Sequence, residues 1–121
     1  MIEKKLKNKV VFLMIGDKRD EVTFSKILEH SENTKNFFYL GHKRNIDDWL
    51  YGSDLIIVPA NKEPFGRTIV ESMALKTPVL ASNSGGHREI IKNEKNGFLF
   101  ESNNNKAISQ LTCQILNNKK K

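Results

Sequence analysis

Apolar runs recur along this chain: VVFLMIG at 10–16, NFFYLG at 36–41, DLIIVPA at 54–60, PVLAS at 78–82 and GFLF at 97–100. None alternates polar with apolar residues, as a strand wetted on one face would. Continuous apolar strands are buried on both faces, which is the condition of a parallel sheet covered by helices. The segments between them carry helical spacing. Val22, Phe24, Ile27 and Leu28 follow Asp20, a candidate N-cap, and His30 falls near that helix's C-terminus. Ile46, Trp49 and Leu50 follow Asn45 and stop at Gly52. Ile69, Val70, Met73 and Ala74 mark a third helix that Pro78 would end, Glu89 to Ile91 a short fourth, and Ala107, Ile108, Leu111 and Ile115 a fifth. Strand and helix alternate, so the expected fold is α/β with a doubly wound parallel sheet.

A chain of 121 residues is one domain's worth. The expected domain spans 10–117, between a basic lead at 1–9 and a disordered lysine tail at 118–121. The formal charge of +6 is concentrated in those ends, and no basic stripe interleaved with aromatics crosses the middle. That pattern argues against nucleic-acid binding and leaves anionic small ligands open. Cys113 is the sole cysteine, so no intrachain disulfide can form, and its helical neighbours Leu111 and Ile115 make it a core thiol. The opening MIEKKLKNKVVFLMIG reads as a strand rather than a signal peptide, and no run is long enough to span a bilayer. Cytoplasmic placement, including the inner face of a membrane, is the expectation.

In such a sheet, ligands bind beyond the carboxyl ends of the strands. The unusual residues gather there: Gly16 and Asp17, Gly41 to Arg44, Asn61 to Gly66, and SNSGG at 82–86. In EPFGRTIVE, Pro64 sets one backbone angle, Gly66 permits close approach, and a helix starts at about Gly66 or Arg67. Its unpaired N–H groups and dipole suit a phosphate. Glu71 lies roughly 7 Å along the axis from the helix start, at about 1.5 Å per residue, and Glu63 stands just before it. Carboxylates accept paired hydrogen bonds from vicinal hydroxyls, so two acids beside an anion site fit a nucleotide sugar, with ribose, diphosphate and hexose in line. A plainer reading remains open at this point: Glu63 favours the helix dipole and Glu71 pairs with Arg67 one turn back.

With these residues laid out, the stretch DLIIVPANKEPFGRTIVESMALKTPVLASNSGGHREIIKNEKNGFLF resembles the donor-binding, C-terminal half of the family 4 retaining glycosyltransferases of the GT-B fold. The likeness rests on the E-x7-E motif from Glu63 to Glu71, on ESMALKTPV, and on the Gly-Gly turn ending in Glu89; it extends over about 10–116. It implies a Rossmann-like domain that binds a nucleoside diphosphate sugar, such as a UDP- or GDP-sugar, and transfers a hexose to an acceptor glycan, lipid or small molecule. Glu71 would bind the ribose hydroxyls, and Glu63, the catalytic position, the hydroxyls of the transferred sugar. Backbone N–H groups of Phe65, Gly66 and Arg67 would hold sugar and phosphate, with Thr68 and Ile69 extending the cradle. The loop at His42, Lys43 and Arg44 would meet the base, Gly16 belongs to the first glycine turn, and Gly85 and Gly86 would let a second loop pass close. No protein nucleophile, cofactor or metal is implied. His42 and His87 read as exposed loop histidines without a chemical role.

The chain departs from the pattern at Lys18, where a second glycine of the first turn is expected, and at Arg88, where a proline is expected. It also shows neither the family's upstream first strand, with its basic pair for the diphosphate, nor the acceptor-binding half. Two of the strands would then pair directly, or another chain would complete the sheet, or the fold would be marginal. A donor-binding part with poor or no activity by itself is one expectation. A non-catalytic or complementing module that needs a partner chain with the acceptor domain, or self-association, is the alternative. A dinucleotide oxidoreductase is disfavoured because no G-x-G-x-x-G follows the first strand.

Overall fold

The computed structural model describes residues 10–15, 25–26, 29, 36–59, 66–92, 95–102 and 104–119. Contacts divide the chain into two compact units between Asn45 and Ile46, where the sequence suggests a single domain.

In the first unit, β1 (Phe12–Ile15) pairs in parallel with β2 (Phe37–Gly41). Asn36 ties the start of the pair from both sides: its side-chain amide donates to Val10 O at 2.8 Å, and its carbonyl accepts from Phe12 N–H at 2.7 Å. The register slips between Met14 and Ile15, so that Ile15 faces Gly41 rather than Leu40. Of the first predicted helix, Ser25, Lys26 and Glu29 are helical; the remainder, with Asp20 and His30, lies outside the described residues.

The second unit follows the order α1 (Ile46–Tyr51), β3 (Ile56–Val58), α2 (Arg67–Ala74), β4 (Val79–Ser82), α3 (His87–Ile90), β5 (Phe98–Phe100) and α4 (Asn105–Lys119). Its strands form a parallel sheet in the order β3-β4-β5, with Ile57 opposite Leu80 and Ala81 opposite Leu99. The central strand is buried throughout, which is why its sequence, VLAS, does not alternate.

Strand periodicity divides the core in two. On one face Ile69, Val79, Ala81 and Ile91 form a buried cluster with Ile56, Val58, Met73, Ile90 and Leu99 around it. On the other, Leu80, Phe100 and Ile115 are buried among Leu55, Ile57, Phe98 and residues of α4. The sheet is thus covered by α2 and α3 on one side and α4 on the other, the doubly wound arrangement that the apolar runs require.

Local signals set the helix ends. Asn104 caps α4, its side-chain oxygen accepting from Ala107 N–H at 3.0 Å, and that helix continues through Asn118 and Lys119, beyond the expected domain end. The stop of α2 is not Pro78 itself. Thr77 N–H bonds to Ser72 O at 2.9 Å and Lys76 N–H to Met73 O at 3.0 Å, a Schellman closure with Lys76 left-handed at φ 61°. Thr77 Oγ1 then donates to Leu50 O at 3.0 Å, fastening this turn to α1. Among the described residues no helix is long and apolar enough to cross a membrane.

Candidate functional site

The N-terminus of α2 and the turn leading into α3 face one another across a cleft of about 520 Å³, lined by Gly66, Arg67, Val70, Glu71, Gly86, Glu89 and Ile90. It lies at the carboxyl side of the sheet, because α2 follows β3 and α3 follows β4 after short connections. Parallel strands all deliver their following loops to that one edge.

Helix α2 begins at Arg67 with Gly66 before it, and no side chain caps it. Val70 N–H is bonded back to Gly66 O at 2.9 Å. The N–H groups before it have no partner within the helix and carry the positive end of its dipole. Glu71 is half-buried on the second turn, so it flanks the cleft instead of standing at the tip. Arg67 stands one turn before it on the same helix. Both residues line the same cleft. Val70, 52% exposed on a helix whose Ile69 is fully buried, gives the cleft an apolar wall.

Across from α2, residues 83–86 make the glycine turn, with Gly85 at φ 52°, a left-handed conformation that glycine adopts freely. Gly86 lines the cleft, while Gly85 is exposed beside it. His87 corrects the expectation of an exposed loop histidine. It is fully buried, with Nδ1 2.9 Å from Ser82 O and 3.2 Å from Ser82 Oγ. The end of β4 supplies a polar partner inside the core, and this is what allows an imidazole to be buried there.

Of the site residues expected from sequence, Gly66, Arg67, Glu71 and Gly86 come together in this cleft. Thr68 is exposed on α2 and Ile69 is part of the core, so Ile69 has only its backbone to offer a ligand. His42 is exposed and Lys43 half-buried after β2, in the first unit. Glu63, Phe65 and Gly16 lie outside the described residues. The structure adds Val70, Glu89 and Ile90. Glu89 carried a signal, as the acid closing the glycine turn. Val70 and Ile90 carried none, since a wall of a cleft and a core position look alike in sequence.

All of residues 1–121 match the family described as Glycosyl transferases group 1. The chain belongs to that family. Among its curated relatives, N-acetyl-alpha-D-glucosaminyl L-malate synthase of Bacillus anthracis is 27% identical over 104 residues, 86% of this chain and 27% of that protein. An uncharacterized glycosyltransferase of Methanocaldococcus jannaschii is 31% identical over 111 residues, 88% of this chain and 31% of its own length. Among solved structures, HepE of Anabaena in complex with UDP-glucose superposes with a TM-score of 0.84 at 25% identity, over 98% of this chain and 34% of that one. This glycosyltransferase chain therefore spans about a third of the length of these relatives. Its fold is that of a Rossmann-like C-terminal half of a GT-B glycosyltransferase, and transferase chemistry is the family's activity.

Proposed function

We propose that this chain is the donor-binding part of a family 4 retaining glycosyltransferase, holding a nucleoside diphosphate sugar from which a hexose passes to an acceptor. The observation that carries this reading is the joint placement of the α2 N-terminus, Glu71 and Gly86 around one cleft. The helix N–H groups suit the diphosphate, and they would stabilise it as it departs. Glu71 supplies the acceptor for ribose hydroxyls, and Gly86 adds no side chain of its own to the facing wall beside Glu89 and Ile90. Glu63 takes the transferred sugar in this reading, and Phe65 adds a backbone donor beside Gly66 and Arg67. The Anabaena relative of the same fold has been solved with UDP-glucose, which supports a uridine diphosphate sugar as the first donor to try.

The test is the melting temperature of the purified chain with UDP, GDP, ADP and their sugars, beside Glu71→Ala. A rise of about ten degrees with one nucleotide, absent in the variant, is expected for a ligand near a hundred times its Kd. A rise that survives Glu71→Ala would remove the ribose role, and no rise with any nucleotide in the folded chain would remove the donor-site reading.

A further inference from the structure

His87 is fully buried, and its two ring nitrogens have different fates. Ser82 O, 2.9 Å from Nδ1, is a carbonyl and can only accept, so Nδ1 carries the proton and donates. Nε2 is buried with no partner among the described residues. A buried nitrogen without a hydrogen bond destabilises a fold, whereas an apolar side chain of similar volume would fill the same space without that penalty. Stability alone does not account for a histidine here.

The Nδ1 bond does something an apolar residue cannot. Ser82 O also accepts from Ser84 N–H at 2.9 Å, and Ser84 O accepts from His87 N–H at 3.1 Å. The glycine turn is therefore closed into a ring of bonds on the last residue of β4. Helix α3 is a single turn of four residues, too short to hold its own geometry. Its first residue is tethered through His87, and its last through Asn96, whose side-chain amide donates to Ile90 O at 3.0 Å. Three residues that line the cleft, Gly86, Glu89 and Ile90, ride on this tethered segment.

We infer that His87 is a positioning residue, its Nδ1–H pinning the glycine turn and α3 to the end of β4 so that the wall facing α2 is held in place for the donor. The inference rests on the donor-site reading for its functional consequence, and on the hydrogen-bond ring for its structural one. A core histidine without this role would be replaced by leucine with no loss of function.

The experiment compares the full chain with His87→Leu, His87→Asn and His87→Gln by amide hydrogen exchange, melting temperature and calorimetric binding of UDP and UDP-glucose. Asparagine places its amide nitrogen near Nδ1, and glutamine near Nε2. In His87→Leu the melting temperature should hold or rise, exchange at Ser84 and at position 87 should quicken, and UDP-glucose affinity should fall about tenfold, the effect of one lost hydrogen bond. His87→Asn should restore both, and His87→Gln should not. Unchanged exchange in His87→Leu, unchanged affinity there, or equal behaviour of the asparagine and glutamine variants would each overturn the proposal. Should the leucine variant fail to fold, the asparagine and glutamine pair decides. If the unaltered chain binds neither UDP nor UDP-glucose, the donor reading fails for these ligands, and the exchange data still accept or reject the tether.

Discussion

Ile90 of α3 packs against the bare face of Gly66 at the head of α2: a methyl built on Gly66 would lie 2.7 Å from Ile90 Cδ1 and 3.1 Å from Ile69 Cδ1. The glycine that sequence reasoning assigned to ligand approach is thus also required by packing. Gly66→Ala should cost about 1 kcal/mol, at the low end of overpacking because the atom in the way is the tip of a flexible side chain. Ile90→Val removes that tip, so the double variant should recover part of the loss, seen in urea unfolding as a coupling energy of about 0.5 kcal/mol or more. Strict additivity would mean that the two residues do not meet.

Lys76 occupies the left-handed position of the Schellman closure of α2, at φ 61°, where a side chain crowds the following carbonyl. Lys76→Gly should therefore stabilise the chain by roughly 0.5–1 kcal/mol and raise Tm by several degrees. Lys76→Ala keeps the Cβ and should give no such gain. A glycine variant no more stable than the alanine variant would show that the left-handed geometry costs nothing here.

The architecture was readable because burial on two faces leaves a mark: VLA and IIV are apolar at successive positions, as the strands of a covered parallel sheet are, and helical spacing between such runs completes the pattern. The strands shortened relative to the apolar runs, Ile56–Val58 within DLIIVPA, since pairing and not hydrophobicity decides where a ladder ends. Glu71 and Arg67 were legible from their motif as residues brought together, and both line the cleft. His87 was not, because its burial depends on the Ser82 carbonyl beneath it, a partner that no local pattern in HREI announces. The boundary between Asn45 and Ile46 likewise depends on contact density, which a continuous sequence of alternating elements does not display.

Leu80 sits at the centre of β4 with no exposed surface, while Val70 on α2 is 52% exposed. Leu80→Ala leaves a hole beside Phe100 and Ile115 and should cost about 2–5 kcal/mol, a large part of a typical total stability. Val70→Ala should stay within about 0.5 kcal/mol of the unaltered chain, yet it removes part of the cleft's apolar wall and should weaken UDP-glucose binding. Chemical denaturation and calorimetry on the two variants test the separation. A destabilised Val70→Ala would place that residue in the core rather than at the cleft.

Glu71 flanks the cleft one turn above the helix tip, so its carboxylate should act with opposite sign on two parts of a nucleotide. In the proposed donor site it would attract ribose hydroxyls as a charged acceptor, a bond worth about 1.5–3 kcal/mol, and repel a diphosphate held at the helix terminus. Glu71→Gln should therefore weaken UDP by about tenfold or more, while binding of inorganic diphosphate should be unchanged or slightly tighter. Isothermal titration of both ligands on both proteins reads this directly. Equal weakening of the two would mean that Glu71 shapes the α2 terminus instead of recognising the sugar of the nucleotide, and the donor would then have to lie along the cleft in a different direction.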